Sequence, residues 1–257
     1  MRVIGIQLDI AWEDKPANFK KVQSLLKPLD IAPGSLIVLP EMFATGFSMN
    51  VAGIFEEEEG MTFAFLKDLA QQYRSFAVGG LVTRAPDGRG RNEAVVADPG
   101  GTIHARYRKM HPFSLAGEHR YYEPGQDMVT FAWGGFTAAP FICYDLRFPE
   151  VFRKAMRRGA DLFVVIACWP AKREAHWTAL LQARAIENQA YVIGVNRCGT
   201  DPEHVYSGRS FIIDPRGAVI ADAGNGERVI QADMDHAFVV SYRQELPFLA
   251  DARLDCL

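Results

Sequence analysis

The sequence contains no apolar run near the ~20 residues that a helix needs to cross a bilayer, which excludes a helical membrane span. Cysteine is scarce. Cys143, Cys168, Cys198 and Cys256 form no Cys-x-x-Cys pair, so neither a zinc ribbon nor a thioredoxin-type motif is present. Charge of one sign is lacking too: the formal net charge of −3 gives no basic face for nucleic acid or anionic membrane. Also missing are His-Glu-x-x-His, Gly-x-Ser-x-Gly, a phosphate loop and Gly-x-Gly-x-x-Gly, which argues against zinc peptidase, serine hydrolase and nucleotide chemistry. No repeat, low-complexity tract or Pro/Gly/Ser-rich linker divides the chain, so one domain over 1–257 is expected. The N-terminus runs directly into a strand pattern without the apolar core of a signal peptide, and a cytoplasmic location is expected.

What is present is an alternation of strand-like and helix-like segments. Strand patterns cover 2–8, 35–39, 76–83, 92–97, 102–107, 128–132, 136–142, 161–167, 191–195, 208–214, 218–221 and 228–232. Helical patterns cover 15–29, 62–74, 149–158, 174–189 and 235–245. The first opens on Asp14 and Pro16, and Gly159 stops the third. Hairpins mixed with crossover helices predict an α/β fold with sheet packed on sheet and helices outside. Long stretches at 40–60 and 109–127 are candidate functional loops. The acidic run Glu56-Glu57-Glu58-Glu59 is expected to be a solvated loop or helix start.

Three segments deliver a reactive side chain at the end of an apolar strand. Leu39-Pro40 leads into Glu41, Tyr107-Arg108 into Lys109, and Phe141-Ile142 into Cys143. If these strands share a sheet in like orientation, a carboxylate, an ammonium and a thiol converge on one edge, the parts of a thiol hydrolase. Cys143 precedes a tight polar turn and the helix opened by Pro149-Glu150, whose dipole would favour the thiolate. A carboxylate at the mouth of a buried strand is suited to proton transfer. Taken singly each has an ordinary alternative: a buried small hydrophobe for Cys143, solvated charges for Glu41 and Lys109. A papain-like cysteine–histidine pair is the competing arrangement, but none of the six histidines stands beside a second catalytic signature.

Leu39-Pro40-Glu41-Met42-Phe43, Tyr107-Arg108-Lys109-Met110-His111 and Ile142-Cys143-Tyr144-Asp145-Leu146-Arg147-Phe148-Pro149 resemble, in order and spacing, the three catalytic blocks of the nitrilase superfamily of carbon–nitrogen hydrolases. Gly46-Phe47-Ser48-Met49, Ala183-Arg184-Ala185-Ile186-Glu187-Asn188-Gln189 and Tyr206-Ser207-Gly208-Arg209-Ser210 resemble its ω-amidase branch, in particular the bacterial YafV-type members. The likeness spans essentially the whole chain. It implies a four-layer α-β-β-α sandwich, a homodimer formed through helices near the active site, and no cofactor. Carried over, Glu41 is the general base, Lys109 the oxyanion-stabilising cation and Cys143 the nucleophile. Glu118 matches the second glutamate that orients lysine and water, with Glu123 as a rival. The implied substrate is a short dicarboxylate monoamide, and the runner-up is another small amide, a carbamoyl compound or a nitrile. The backbone of Tyr144 would complete the oxyanion site, and Phe47 and Trp169 would wall the pocket. Arg173 is the first candidate for a remote substrate carboxylate and Arg147 the second, because a guanidinium matches that group's planar geometry. Cys168 stands where related sequences often carry an amide or small residue.

Overall fold

Period-two alternation of apolar side chains divides the strands between two cores. In β1 (Arg2–Gln7), Val3 points into one cluster while Ile4 and Ile6 point into another. The same alternation separates Ala94 and Val96 from Val95 and Ala97 in β4 (Gly90–Ala97). The computed structural model describes residues 1–57 and 59–253; Glu58 of the acidic run and Cys256 lie outside the described residues.

The remaining elements are α1 (Lys15–Leu26), β2 (Leu36–Val38), α2 (Val51–Ile54), α3 (Met61–Tyr73), β3 (Phe76–Arg84), β5 (Ile103–Arg108), α4 (Glu118–Tyr121), β6 (Phe131–Trp133) and β7 (Phe136–Ile142). They continue with α5 (Pro149–Arg157), β8 (Leu162–Ala167), α6 (Glu174–Asn188), β9 (Tyr191–Asn196), β10 (Cys198–Thr200), β11 (Val205–Ser207), β12 (Phe211–Ile213), β13 (Val219–Asp222), β14 (Arg228–Asp233) and α7 (His236–Glu245).

One sheet has the order β14-β1-β2-β3-β4-β5, the other β13-β12-β9-β8-β7-β6. β1, β2 and β3 run parallel, as do β7, β8 and β9, and the outer strands are antiparallel. The inner faces meet through Val38, Val78 and Val96 of the first sheet and Val164, Ile166 and Val195 of the second. α1 and α3 cover one outer face with Val22, Leu26, Phe63 and Leu66. α5, α6 and α7 cover the other with Phe152, Trp177, Leu181 and Val239. This is the expected α-β-β-α sandwich.

Three expectations need correction. The expected 208–214 strand shrinks to β12, preceded by a β10–β11 hairpin that no strand pattern marked. The long loops contain α2, α4 and a 3₁₀ turn at Ser114–Ala116. Glu56 is not solvated: it is 5% exposed, and its carboxylate pairs with Lys15 at 2.7 Å, because the acidic segment folds back onto the start of α1.

Candidate active site

The three reactive residues lie at strand ends, though not of one sheet. Glu41 and Lys109 follow β2 and β5 of the first sheet, which run in the same direction, while Cys143 follows β7 of the second. Convergence comes from packing the two sheets face to face, so the expectation of a shared sheet edge is corrected. Glu41 and Lys109 are held by backbone pairing that outlasts their strands. Leu39 N–H donates to Val78 O (2.8 Å), Gly80 N–H to Pro40 O (3.1 Å) and Lys109 N–H to Asn92 O (2.9 Å). Gly80 is required here: a Cβ would lie 2.4 Å from Met42 N and 2.6 Å from Glu41 Cα. Met42 and Cys143 both adopt left-handed backbone, with φ of 43° and 46°, a conformation that costs side-chain-bearing residues free energy and clusters at functional sites.

The cation is enclosed. Lys109 is 1% exposed, and its Nζ donates to Glu41 Oε1 at 2.8 Å and to Glu118 Oε2 at 2.9 Å. Glu118 is thereby brought to the site from α4, whereas its rival Glu123 pairs with Arg91 at 2.6 Å and Arg108 at 3.0 Å. Asn92 Nδ2 donates to both carboxylates, at 2.7 Å to Glu41 and 3.1 Å to Glu118. The backbone N–H of Cys168 donates to Glu41 Oε2 at 2.8 Å. Burial opposes the charge of Lys109, but the Glu118 and Glu41 carboxylates outweigh it and hold its pKa well above the ordinary lysine range. Burial raises the pKa of Glu118 against the pull of Lys109.

Burial also pushes the Cys143 thiol well above the ordinary cysteine range; the Glu41 carboxylate adds to this and Lys109 only partly offsets it. The expected thiolate stabilised by a helix dipole is therefore corrected. A five-residue 3₁₀ turn, Cys143–Arg147, separates the sulfur from α5, and desolvation outweighs the nearby cation. Cys143 itself is partly exposed, on the floor of a pocket. Its turn is braced by Asp145, fully buried, which accepts from Tyr107 Oη (2.8 Å), His111 N–H (3.0 Å) and Ile142 N–H (3.1 Å).

The carbon-nitrogen hydrolase family profile matches residues 2–244. The chain belongs to the carbon–nitrogen hydrolase family. It is 38% identical over 255 residues to omega-amidase YafV of Escherichia coli (strain K12), covering 98% of this chain and 96% of that protein. It is 34% identical over 251 residues to 2-oxoglutaramate amidase of Bacillus subtilis (strain 168), covering 97% and 96%. The solved structure of XC1258 from Xanthomonas campestris, a CN-hydrolase superfamily protein with an arsenic adduct in its active site, superposes with a TM-score of 0.92 at 31% identity. That match covers 98% of this chain and 97% of the other. The nitrilase-type fold and family read from the three motifs are borne out.

In this carbon–nitrogen hydrolase Lys109 and Cys143 form the floor of a pocket, with Glu41 and Glu118 buried behind them. All five residues expected around the substrate, Phe47, Tyr144, Arg147, Trp169 and Arg173, line it. Tyr144 is the second residue of the 3₁₀ turn, where a backbone N–H has no partner within its own turn. The Lys109 ammonium lies 5.2 Å from the centre of the Phe47 ring. The Arg147 guanidinium stacks over Trp169 at 4.7 Å and Arg173 over Phe113 at 5.1 Å. Among the described residues neither arginine forms a salt bridge. His204 also lines the pocket, but the Cys143 sulfur lies 3.9 Å from the carbonyl of Cys168, with no imidazole bonded to it among the described residues. Cys168 also lines the pocket, although it is largely buried, and its thiol donates to Glu41 O at 3.2 Å.

Asn92, Asp145, Phe113 and His204 were not identified as site residues from the sequence. An asparagine in a strand pattern and an aspartate two residues after Cys143 were visible signals, since neither residue favours a strand interior or a buried turn without a partner. Phe113 and His204 carried none.

Proposed function

We propose that this chain is an ω-amidase, hydrolysing the terminal amide of a short dicarboxylate monoamide such as 2-oxoglutaramate or 2-oxosuccinamate to the dicarboxylate and ammonia. The observation that carries the reading is a thiol and a doubly carboxylate-bound ammonium on the floor of a small pocket whose wall holds two arginines without salt-bridge partners. The names of the Escherichia coli and Bacillus subtilis relatives agree with it.

Glu41 accepts the Cys143 thiol proton as sulfur attacks the amide carbon. The carbonyl oxygen gains the charge and is held by the Lys109 ammonium and the Tyr144 N–H, donors each worth about 3 kcal/mol in transition-state stabilisation. The tetrahedral adduct collapses, the C–N bond breaks, and protonated Glu41 returns its proton to the departing ammonia. Glu41 then takes a proton from water, whose oxygen attacks the thioester; the carboxylic acid leaves and the proton returns to sulfur. Glu118 keeps Lys109 oriented throughout. Arg173, with Arg147 beside it, receives the remote carboxylate, while Phe47 and Trp169 exclude water. The reaction uses no cofactor.

Exposed Ile186 on α6 and Phe248 beyond α7 support a homodimer formed through this outer face. Free Cys143, Cys168 and Cys198 support a reducing, cytoplasmic setting.

The decisive experiment is ammonia release across a substrate panel. Dicarboxylate monoamides are expected to turn over at least ~10-fold faster than neutral amides of equal length, the discrimination of a buried charge-assisted pair. Equal rates on the neutral amides, or faster turnover of carbamoyl compounds or nitriles, overturn the substrate reading. Cys143→Ala, folded but inactive, is the control for the thioester route; retained turnover overturns that route.

A further inference from the structure

Asn92 is a polar residue in the middle of a strand, 1% exposed, and its two backbone and side-chain ends do separate things. Its carbonyl accepts the Lys109 N–H and so fixes where the lysine leaves β5. Its Nδ2 reaches the Oε1 atoms of Glu41 and Glu118, the two oxygens that also receive Lys109 Nζ. Its Oδ1 has no partner among the described residues. A buried acceptor without a donor is costly, yet turning the amide over would place Oδ1 against two carboxylates. The orientation is therefore set by the anions, and the orphaned oxygen is what that orientation leaves behind.

We propose that Asn92 is a positioning residue for amide hydrolysis: its amide ties the Glu41 and Glu118 carboxylates together around Lys109 and keeps the second carboxylate from drawing Lys109 away. The proposal rests on the reading of Glu41 as general base. Two carboxylates and one ammonium leave an excess negative charge in a dry site, where either carboxylate would otherwise gain by taking up a proton. A neutral donor shared by both relieves that charge without adding a second cation, which would compete with Lys109 for the same oxygens. The ionisable groups facing Glu41 are Lys109 from the end of β5, Glu118 on α4, Cys143 after β7, Cys168 after β8 and Tyr122 after α4. Among these only Lys109 is a cation.

Asn92→Ala removes the donor and leaves the backbone carbonyl that places Lys109. Asn92→Ser restores one hydroxyl donor. Folding is checked by thermal melting, and kcat, KM and the pH profile are measured for both variants, with Glu41→Gln alongside. Asn92→Ala is expected to lower kcat by about 10-fold or more with KM within about twofold, the size of a transition-state hydrogen-bonding effect. The acid limb of the profile moves to higher pH, because Glu118, whose pKa is already raised by burial, keeps its proton longer once it loses the Asn92 donor. Asn92→Ser recovers part of both changes. An acid limb that stays in place while the rate falls equally at all pH values overturns the proposal, as does a folded Asn92→Ser no better than Asn92→Ala. If Asn92→Ala does not fold, the limb of Asn92→Ser against the unsubstituted enzyme decides by the same criterion. Full turnover by Glu41→Gln overturns the base assignment itself, whereas an inactive Glu41→Gln with an unmoved limb in the Asn92 variants overturns only the role given to Asn92.

Discussion

At Cys143 a left-handed backbone and a desolvated thiol occupy one residue. The φ of 46° costs about 1–2 kcal/mol in a residue with a Cβ, and the turn braced by Asp145 is what sustains it. That conformation lifts the sulfur off the end of β7 into the pocket. The thiol's pKa is raised by burial first and by Glu41 second, so the sign of its pH behaviour is opposite to that of a thiolate–imidazolium pair: the neutral form persists through neutrality, and ionisation requires alkaline pH. Alkylation of Cys143 by iodoacetamide, followed by mass spectrometry, is expected to keep accelerating with pH beyond the ~8.5 of an ordinary thiol. A plateau reached below neutrality would contradict the neutral resting sulfur.

Between elements, the critical dimension is the approach of β3 to the segment after β2. Gly80→Ala forces its Cβ onto Met42 N and Glu41 Cα, both backbone atoms that cannot swing aside. The variant is expected to lose about 1–3 kcal/mol of stability in denaturant titration, as overpacked sites do, and to lose kcat disproportionately because the displaced atoms carry the carboxylate. Unchanged kcat in folded Gly80→Ala would show that Glu41 tolerates the shift. Much of this element-level arrangement was legible in the chain. The all-apolar β8 announced a strand covered on both faces, and Pro40-Glu41 and Ile142-Cys143 marked where strands hand over to chemistry. What escaped reading depends on partners remote in sequence. β10 and β11 are three residues each, too short for a periodic signal. That Glu41 and Cys143 come from different sheets is a fact of topology which local pattern does not encode. The neutral thiol likewise follows from burial supplied by both sheets.

For the whole molecule, buried amides fasten the two halves together. Gln7 at the end of β1 donates to Gly224 O (2.9 Å) and Gly226 O (2.7 Å) and accepts from Ser210 N–H (2.8 Å), so a first-sheet strand is tied to segments flanking β12 and β13 of the second. Asn196 does similar work within the second sheet, accepting from Trp169 N–H (2.7 Å) and donating to Trp169 O (3.0 Å) and Gly208 O (2.8 Å). Gln7→Ala leaves the buried Ser210 N–H without its acceptor and removes a donor from the part-buried Gly224 and Gly226 carbonyls, and is expected to cost about 1–3 kcal/mol, which at this chain length lowers Tm by about 3–10 °C in calorimetry. An unshifted Tm would mean the sheets are held by apolar packing alone. The reacting atoms stand on the ends of strands, while Phe47, Phe113, Trp169 and Arg173 are borne by the connecting segments above them. Reactivity and appetite are thus inherited on separate stretches of polypeptide, and transplanting the rims of other amidases onto this floor is a route to new acyl scope that leaves bond breaking untouched.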